Sequence, residues 1–278
     1  MPELPEVEAA RRLIDPAMRQ ARFDRVLLRR SNLRRAFAPD FVARVTGATV
    51  LDVGRRAKHL LLTLSTGDTL VMHLGMSGDL RVERGAAVAG REHPRAPDLH
   101  DHVIFEMSTG AVVIFNDPRR FGAMDLLSPA ERLTHPTLSR LGAEPLSADF
   151  TASVLAQACA GRQVSLKVAL LDQRVVAGLG NIYVVEALHL ARLSPRRRAS
   201  TIATPSGRPR PSAVRLVEAI KAVLTKAVAR QSRPNYRSDR FRVYDREGES
   251  CPTPECPGSI VRIVQAGRST FFCRTCQR

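Results

Sequence analysis

The stretch HLLLTLSTGDTLVMHL, residues 59–74, consists of two apolar runs on either side of the polar turn STGD. Short runs of β-forming residues joined by a turn that contains glycine are typical of a β-hairpin. Further runs of this character lie within residues 23–128, namely FDRVLLRR, ATVLDVGRR, HVIFEMSTGAVVIFND and AMDLLS. Several short strands at this spacing predict a β-sandwich in the first half of the chain.

Helical patterns lie on both sides of the β-rich region. In residues 5–20 one apolar stripe recurs at helical spacing, and it comprises Val7, Ala10, Ile14 and Met18. After the last strand, helical patterns predict helices at 129–133, 151–160, 164–171, 180–191 and 212–230. A Pro- and Arg-rich connector spans 195–211, and we expect a mobile loop at 85–98. The chain is thus predicted to be an α+β protein of several domains, with boundaries at 1–128 (β-sandwich), 129–240 (helical) and 241–278 (a cysteine-rich β-hairpin).

Charge is concentrated in the last third of the chain. The sequence has 43 Lys and Arg against 27 Asp and Glu, a net charge of +16. From Arg192 onwards, 19 basic and 6 acidic residues give +13 of that total. A basic region of this kind favours a polyanionic partner, because each Lys or Arg near a phosphate releases a counterion. The alternative is a solvated surface of an arginine-rich protein, since only four of the basic residues are lysines.

Neither a membrane span nor a secretion signal is predicted. No apolar run reaches the roughly 18 residues that a membrane-spanning helix needs. The N-terminal stretch PELPEVE is acidic and lacks the basic and apolar segments of a signal peptide. We therefore expect a cytoplasmic protein that does not bind a membrane.

Four of the five cysteines have the spacing of a metal site. They follow the pattern C-x4-C-x16-C-x2-C, formed by Cys251, Cys256, Cys273 and Cys276. Two tight cysteine pairs joined by a β-hairpin can place four thiolates at the corners of a tetrahedron, the arrangement that structural Zn²⁺ prefers. Disulfides are the rival interpretation, but a cytosolic location disfavours them. Four thiolates leave no open position, so we predict one structural and not a catalytic zinc ion.

The chain start carries a possible nucleophile. Removal of Met1 would leave the secondary amine of Pro2 free, with an ordinary pKa of roughly 7.7–8.0. Such an amine can attack an electrophilic carbon and form an iminium ion, and the adjacent Glu3 could transfer protons. The alternative is that both residues only begin the first helix.

Six motifs occur in the order found in one protein family: PELPEVE (2–8), GRRAKHLL (54–61), HLGMSG (73–78), NDPRRFG (116–122), GLGNIY (178–183) and the cysteine module with QAGRSTFF (265–272). Together they resemble the formamidopyrimidine-DNA glycosylase family, also called Fpg/Nei, over nearly the whole chain. The resemblance implies an N-terminal β-sandwich with an N-terminal helix, a helix–two-turn–helix element and a zinc-finger hairpin. It also implies an enzyme that removes oxidised bases from double-stranded DNA and cleaves abasic sites. We expect a monomer, since one small asymmetric site acts on one lesion.

The resemblance assigns roles to individual residues. Pro2 would be the nucleophile, assisted by Glu3, Glu6 and Lys58, and Arg268 would bind phosphate and serve δ-elimination. Met76, Arg119 and Phe121 would fill the space left by the base that leaves the stack. The remaining DNA contacts are expected from Asn181, Lys167, His73, His100 and Arg162, although His73 could equally be a core histidine.

One segment departs from the family pattern. Many purine-specific members carry a loop with Gly-Gly-Thr/Ser-Thr/Ser-Leu-Arg/Lys-Asp, whereas ARQSRPNYRSDRF, residues 229–241, is short and lacks that motif. Formamidopyrimidines are the predicted substrates, with 8-oxoguanine and oxidised pyrimidines left open. A lesion-binding protein without catalysis and an RNA- or ribosome-associated zinc protein are the alternatives from other classes.

Overall fold

The computed structural model describes residues 2–84, 98–231 and 241–278. They form two compact units, one that ends at Ser139 and one that begins at Arg140. The predicted mobile loop lies outside the described residues except for Asp98, as do Met1 and residues 232–240 of the segment that departs from the family pattern. The division into domains at 1–128, 129–240 and 241–278 stays a prediction.

The described residues of the first unit form eight strands. They are β1 (Phe23–Leu28), β2 (Val50–Arg56), β3 (His59–Leu64), β4 (Thr69–His73), β5 (Asp79–Arg84), β6 (Asp101–Met107), β7 (Ala111–Asn116) and β8 (Ala123–Leu127). Two antiparallel four-stranded sheets result, with strand orders β1-β6-β7-β5 and β2-β3-β4-β8. The hairpin at residues 59–74 is β3–β4, in which His59 pairs with His73. The predicted β-sandwich is confirmed.

Alternate side chains of the strands form the core of this unit. Along β3, Leu60, Leu62 and Leu64 are fully buried while the intervening residues are partly exposed. Helix α1 (Leu4–Met18) packs against β2 and β5, and its predicted apolar stripe lies in the same core. A short helix, α2 (Phe41–Val45), interrupts a region that was predicted to be all β, because Phe41 and Val45 lie one turn apart and are both buried.

Helix α3 (Pro129–Thr134) follows the last strand of the first unit. The second unit is built mainly of helices. They are α4 (Ala152–Cys159), α5 (Leu166–Leu171), α6 (Asn181–Leu190) and α7 (Pro211–Gln231), followed by the hairpin strands β9 (Ile260–Gln265) and β10 (Arg268–Cys273). Helix α6 is buried nearly all round and packs against α5, α7 and β10. Within the described ranges, no helix is both long and apolar enough to cross a membrane.

Candidate active site and nucleic-acid interface

The chain start is fixed at the head of α1. The backbone N–H of Glu3 donates to the Glu6 carboxylate over 2.9 Å, and the Val7 N–H donates to the Glu3 carbonyl over 3.0 Å. The first bond satisfies an N–H that a helix N-terminus otherwise leaves unpaired, and the second is the first regular bond of the helix. Glu3 is 2% exposed, while Pro2 is half-buried. Glu6 therefore orients the backbone that carries Pro2.

Lys58 lies in a tight turn that is tied to α1. Ala57, which connects β2 to β3, has a positive φ of 55°. Its carbonyl accepts a hydrogen bond from Arg55 Nη1 over 2.9 Å, and Arg55 Nε lies 3.3 Å from the Glu8 carboxylate of α1. Burial raises the pKa of Glu8, but hydrogen bonds from Arg11 and Arg12 outweigh burial and lower it below its usual value. Glu8 is thus a fixed anion that holds the turn in which Lys58 lies.

Two histidines lie beside that turn. The rings of His59 and His73 are 4.9 Å apart on paired strands. Burial and the neighbouring His73 lower the pKa of His59 to about 3, and burial and Lys58 lower the pKa of His73 to about 4. Both rings are therefore neutral at pH 7. Because His73 Nδ1 accepts the Gly75 N–H over 3.0 Å, its Nε2 carries the proton and is the nitrogen that can donate to a phosphate.

Asp117 joins the loops 73–78 and 116–122. Its carboxylate is fully buried and accepts hydrogen bonds from Ser77 Oγ over 2.5 Å and from the Gly122 N–H over 2.7 Å. Ser77 Oγ in turn accepts from the Arg119 N–H over 3.2 Å. A Cβ on Gly75 would lie 2.3 Å from the carbonyl carbon of Phe121, so only glycine allows this approach of the two loops.

This locked backbone carries the three side chains predicted to replace the everted base. Met76 is 43% exposed and Phe121 is 40% exposed, so both large apolar side chains face solvent. The Arg119 guanidinium lies 4.8 Å from the centre of the Phe121 ring. The structure therefore brings Met76, Arg119 and Phe121 together on one pair of loops. The backbone of His100 contacts one of these loops, since its carbonyl accepts the Asp117 N–H over 3.0 Å.

In the second unit, Asn181 begins α6 and contacts the hairpin. Its Nδ2 donates to the Ser269 carbonyl over 3.0 Å, and its Oδ1 is buried without a hydrogen-bond partner in the described structure. Lys167 was predicted to contact DNA, but its side chain is 0% exposed, and Nζ donates to the Ser269 carbonyl over 3.1 Å and to Thr270 Oγ1 over 2.6 Å. This geometry makes Lys167 a support for the hairpin instead of a surface cation.

Arg268 stands at the tip of that hairpin and is exposed. It pairs with Gln265 across a two-residue turn, in which Ala266 and Gly267 both have positive φ, 47° and 71°. This is the backbone of a type I′ turn, whose twist matches that of the flanking strands. Arg162, by contrast, pairs with Asp172 over 3.1 Å, so its guanidinium is already engaged.

The four predicted metal-ligating cysteines lie close together near the base of the hairpin, where β10 ends at Cys273. Their Sγ atoms all lie within 4.8 Å of one another, with Cys251 to Cys276 and Cys256 to Cys273 each at 3.7 Å. A tetrahedron with the usual Zn–S bond length has sulfur–sulfur edges of about 3.8 Å. The cluster also packs on apolar groups that include Val185, Val243 and Phe271. Its dimensions are compatible with a zinc site.

Several residues that shape these sites were not predicted from the sequence. Glu8 and Arg55 join segments 47 residues apart, and Ser77 and Asp117 join segments 40 residues apart. Asp117 belongs to the NDPRRFG motif, and its position between Asn116 and Pro118 is the only signal that could have singled it out. Glu186 carried no signal at all, although its carboxylate accepts the backbone N–H groups of Arg242, Val243 and Tyr244 over 2.8–3.0 Å.

Family models match both units. Residues 1–124 match the formamidopyrimidine-DNA glycosylase N-terminal domain, and residues 141–236 match the formamidopyrimidine-DNA glycosylase H2TH domain, the helix–two-turn–helix element. This combination in one chain is that of a DNA glycosylase. Two similar relatives, from Rhodopseudomonas palustris strain HaA2 and Azorhizobium caulinodans, are formamidopyrimidine-DNA glycosylases that are each 56% identical over the full length of both chains. The chain belongs to the formamidopyrimidine-DNA glycosylase family.

Solved structures show the same fold. MutM (Fpg) from Thermus thermophilus is 37% identical with a TM-score of 0.81, and the match covers 99% of this chain and 98% of that one. Lactococcus lactis Fpg in complex with abasic-site DNA is 29% identical with a TM-score of 0.84 over the whole of both chains. A MutM bound to DNA that contains carbocyclic 8-oxoguanine is 30% identical over the whole of both chains, with a TM-score of 0.83.

Proposed function

We propose that the protein is a bifunctional base-excision repair enzyme, which removes oxidised purines from double-stranded DNA and then cleaves the abasic strand. The observation that carries this proposal is the loop pair described above. Met76, Arg119 and Phe121 stand exposed on a backbone that buried Asp117 holds in place, as a wedge that enters a base stack must. We further propose that the protein acts as a monomer in the bacterial cytoplasm.

The chemical step is assigned to Pro2, Glu3 and Lys58. After removal of Met1, the Pro2 nitrogen would attack C1′ of the lesion nucleotide. The N-glycosidic bond would break as the base leaves with the Pro2 N–H proton. The C1′–O4′ bond would then open as O4′ takes a second proton from an acid such as Glu3, and the Pro2 nitrogen would remain joined to C1′ as an iminium ion. That electron sink would permit loss of the 3′ phosphate and then of the 5′ phosphate. Glu3 and Lys58, which are both buried, would transfer the protons.

DNA binding is assigned to groups in each unit. In the first, the neutral His73 would donate Nε2–H to a phosphate. In the second, the N-terminus of α6 at Asn181 and the exposed Arg268 would bind phosphates, because backbone N–H groups and a guanidinium both favour anions. Arg162 would join them while its Nη1 contacts Asp172, and Lys167 would act through the hairpin that it supports.

We propose Zn²⁺ as the ion held by Cys251, Cys256, Cys273 and Cys276. The four thiol groups fit its tetrahedral geometry and leave no coordination position for a substrate. The ion would fix the base of the hairpin that carries Arg268, and it has no part in the chemical step.

The test is borohydride trapping on a formamidopyrimidine-containing duplex, with the N-terminus of the protein verified by mass spectrometry. We expect a covalent adduct that maps to Pro2, and Pro2→Gly should trap far less DNA while it binds the duplex normally. Unchanged trapping by Pro2→Gly, or an adduct that maps to another residue, would refute Pro2 as the nucleophile. Faster excision of thymine glycol than of formamidopyrimidine would refute the choice of substrate.

A further inference from the structure

Helix α6 reaches the cysteine cluster through one side chain. His189 lies in its last turn, is 1% exposed, and places Nε2 3.5 Å from Cys251 Sγ and 3.3 Å from Thr253 Oγ1. Thr253 Oγ1 is in turn 3.7 Å from Cys276 Sγ. Neither residue is one of the four proposed ligands, yet the two contact one sulfur from each cysteine pair.

The protonation of the ring follows from its other neighbour. Arg242 Nε lies 3.3 Å from His189 Nδ1, and a guanidinium N–H can only donate. Nδ1 is therefore the bare acceptor nitrogen, so the ring hydrogen is on Nε2 and points towards Cys251 and Thr253. The Thr253 hydroxyl can then direct its own hydrogen to Cys276. A chain of hydrogen bonds thus runs from Arg242 through His189 to Cys251 Sγ, and through His189 and Thr253 to Cys276 Sγ.

A metal site with four thiolates carries excess negative charge, which buried N–H and O–H donors compensate. Backbone N–H groups of Gly258, Thr275 and Cys276 also donate to sulfur atoms of this cluster, and apolar side chains that include Val185 and Phe271 pack around it. We infer that His189 and Thr253 are positioning residues for the proposed zinc ion, which hold the Cys251 and Cys276 thiolates by hydrogen bonds and thereby slow loss of the metal. This inference rests on the zinc assignment made above.

The backbone around His189 is itself held in place. Three residues earlier on α6, Glu186 accepts the N–H groups of residues 242–244, which fixes Arg242 beside the histidine ring. The backbone around position 189 is therefore held independently of the His189 side chain. Substitutions at this position can separate the loss of the N–H donor from a general loss of packing.

The experiment uses the full-length, zinc-loaded protein and measures zinc release to EDTA, with 4-(2-pyridylazo)resorcinol as the indicator in a parallel assay. His189→Phe fills the same space without a donor, and His189→Gln keeps a donor near the position of Nε2. Thr253→Val and Thr253→Ser form the corresponding pair. His135→Phe, in the first unit, controls for the loss of a histidine.

We expect His189→Phe to release zinc roughly 10- to 100-fold faster than wild type. Loss of an outer hydrogen bond to a ligand lowers metal affinity by this factor in other metal sites. His189→Gln and Thr253→Ser should remain close to wild type, and Thr253→Val should release zinc faster. Equal zinc retention by His189→Phe and wild type would overturn the inference, as would equal losses in Phe and Gln, which would indicate packing. A wild-type protein that binds no zinc would overturn the zinc assignment and this inference together.

Discussion

Ser77→Ala isolates the contribution of the locked loops to base removal. The substitution deletes one oxygen atom, which donates to the buried Asp117 carboxylate over 2.5 Å and accepts the Arg119 N–H over 3.2 Å. A hydrogen bond to a charged group contributes about 1.5–3 kcal/mol. If the wedge must hold the observed conformation when the base leaves the stack, excision should slow by roughly 10- to 150-fold, because each 1.4 kcal/mol is a factor of ten.

The assay compares two substrates under single-turnover conditions. A formamidopyrimidine-containing duplex requires base eversion, whereas a single-stranded abasic oligonucleotide does not. We expect the full loss on the duplex and little change on the abasic strand. Ser77→Thr keeps the hydroxyl and should restore excision, and Ser206→Ala, in an exposed turn of the second unit, should behave as wild type. Equal losses on both substrates would refute the wedge argument, because they would place the effect in the chemical step.

Three further outcomes are expected. Phe121→Ala should impair excision from duplex DNA more than cleavage at an abasic site, measured by the same assay. Cys273→Ser should lose zinc and DNA affinity together in metal analysis and fluorescence anisotropy, and binding that survives metal loss would contradict the role of the hairpin. Burial and Arg268 lower the pKa of Lys167 from its ordinary 10.5 to about 8, so between these values the unfolded chain holds a proton that the folded protein has lost. The stability of wild type relative to Lys167→Met should therefore rise by about 2 kcal/mol from pH 7 to 9.5 in denaturant titrations.

The fold could be predicted where a single stretch of sequence decides it. Strands β3 and β4 are runs of mostly apolar residues on either side of a glycine turn, and α1 carries an apolar stripe of four turns, so local sequence patterns were sufficient. Helix α2 was missed because one turn, from Phe41 to Val45, is too short to show a period. The cysteine cluster was predictable because ligand spacing within a hairpin is also a local property.

The candidate site residues could be predicted only through motifs. The contacts that hold those residues in place could not be predicted. The contact between Glu8 and Arg55 and the contact between Ser77 and Asp117 depend on which distant segments the sheets bring together. Lys167 shows a second limit, since sequence alone does not reveal whether a cation in a basic region points outwards. Its ammonium instead reaches the carbonyl of Ser269, about a hundred residues later in the chain.

The order of these elements along the chain has a consequence for synthesis. Domains tend to fold as units, the N-terminal one first, while the ribosome is still extending the chain. The first unit is complete at Ser139, and helices α4 to α7 also precede the earliest of the four clustered cysteines. A nascent chain can therefore assemble the wedge loops and most of the second core before Cys273 and Cys276 have been added. Capture of the proposed zinc ion would then be the closing step of maturation, and zinc shortage would leave a chain whose loops 73–78 and 116–122 are formed but whose Arg268 hairpin is not yet secured.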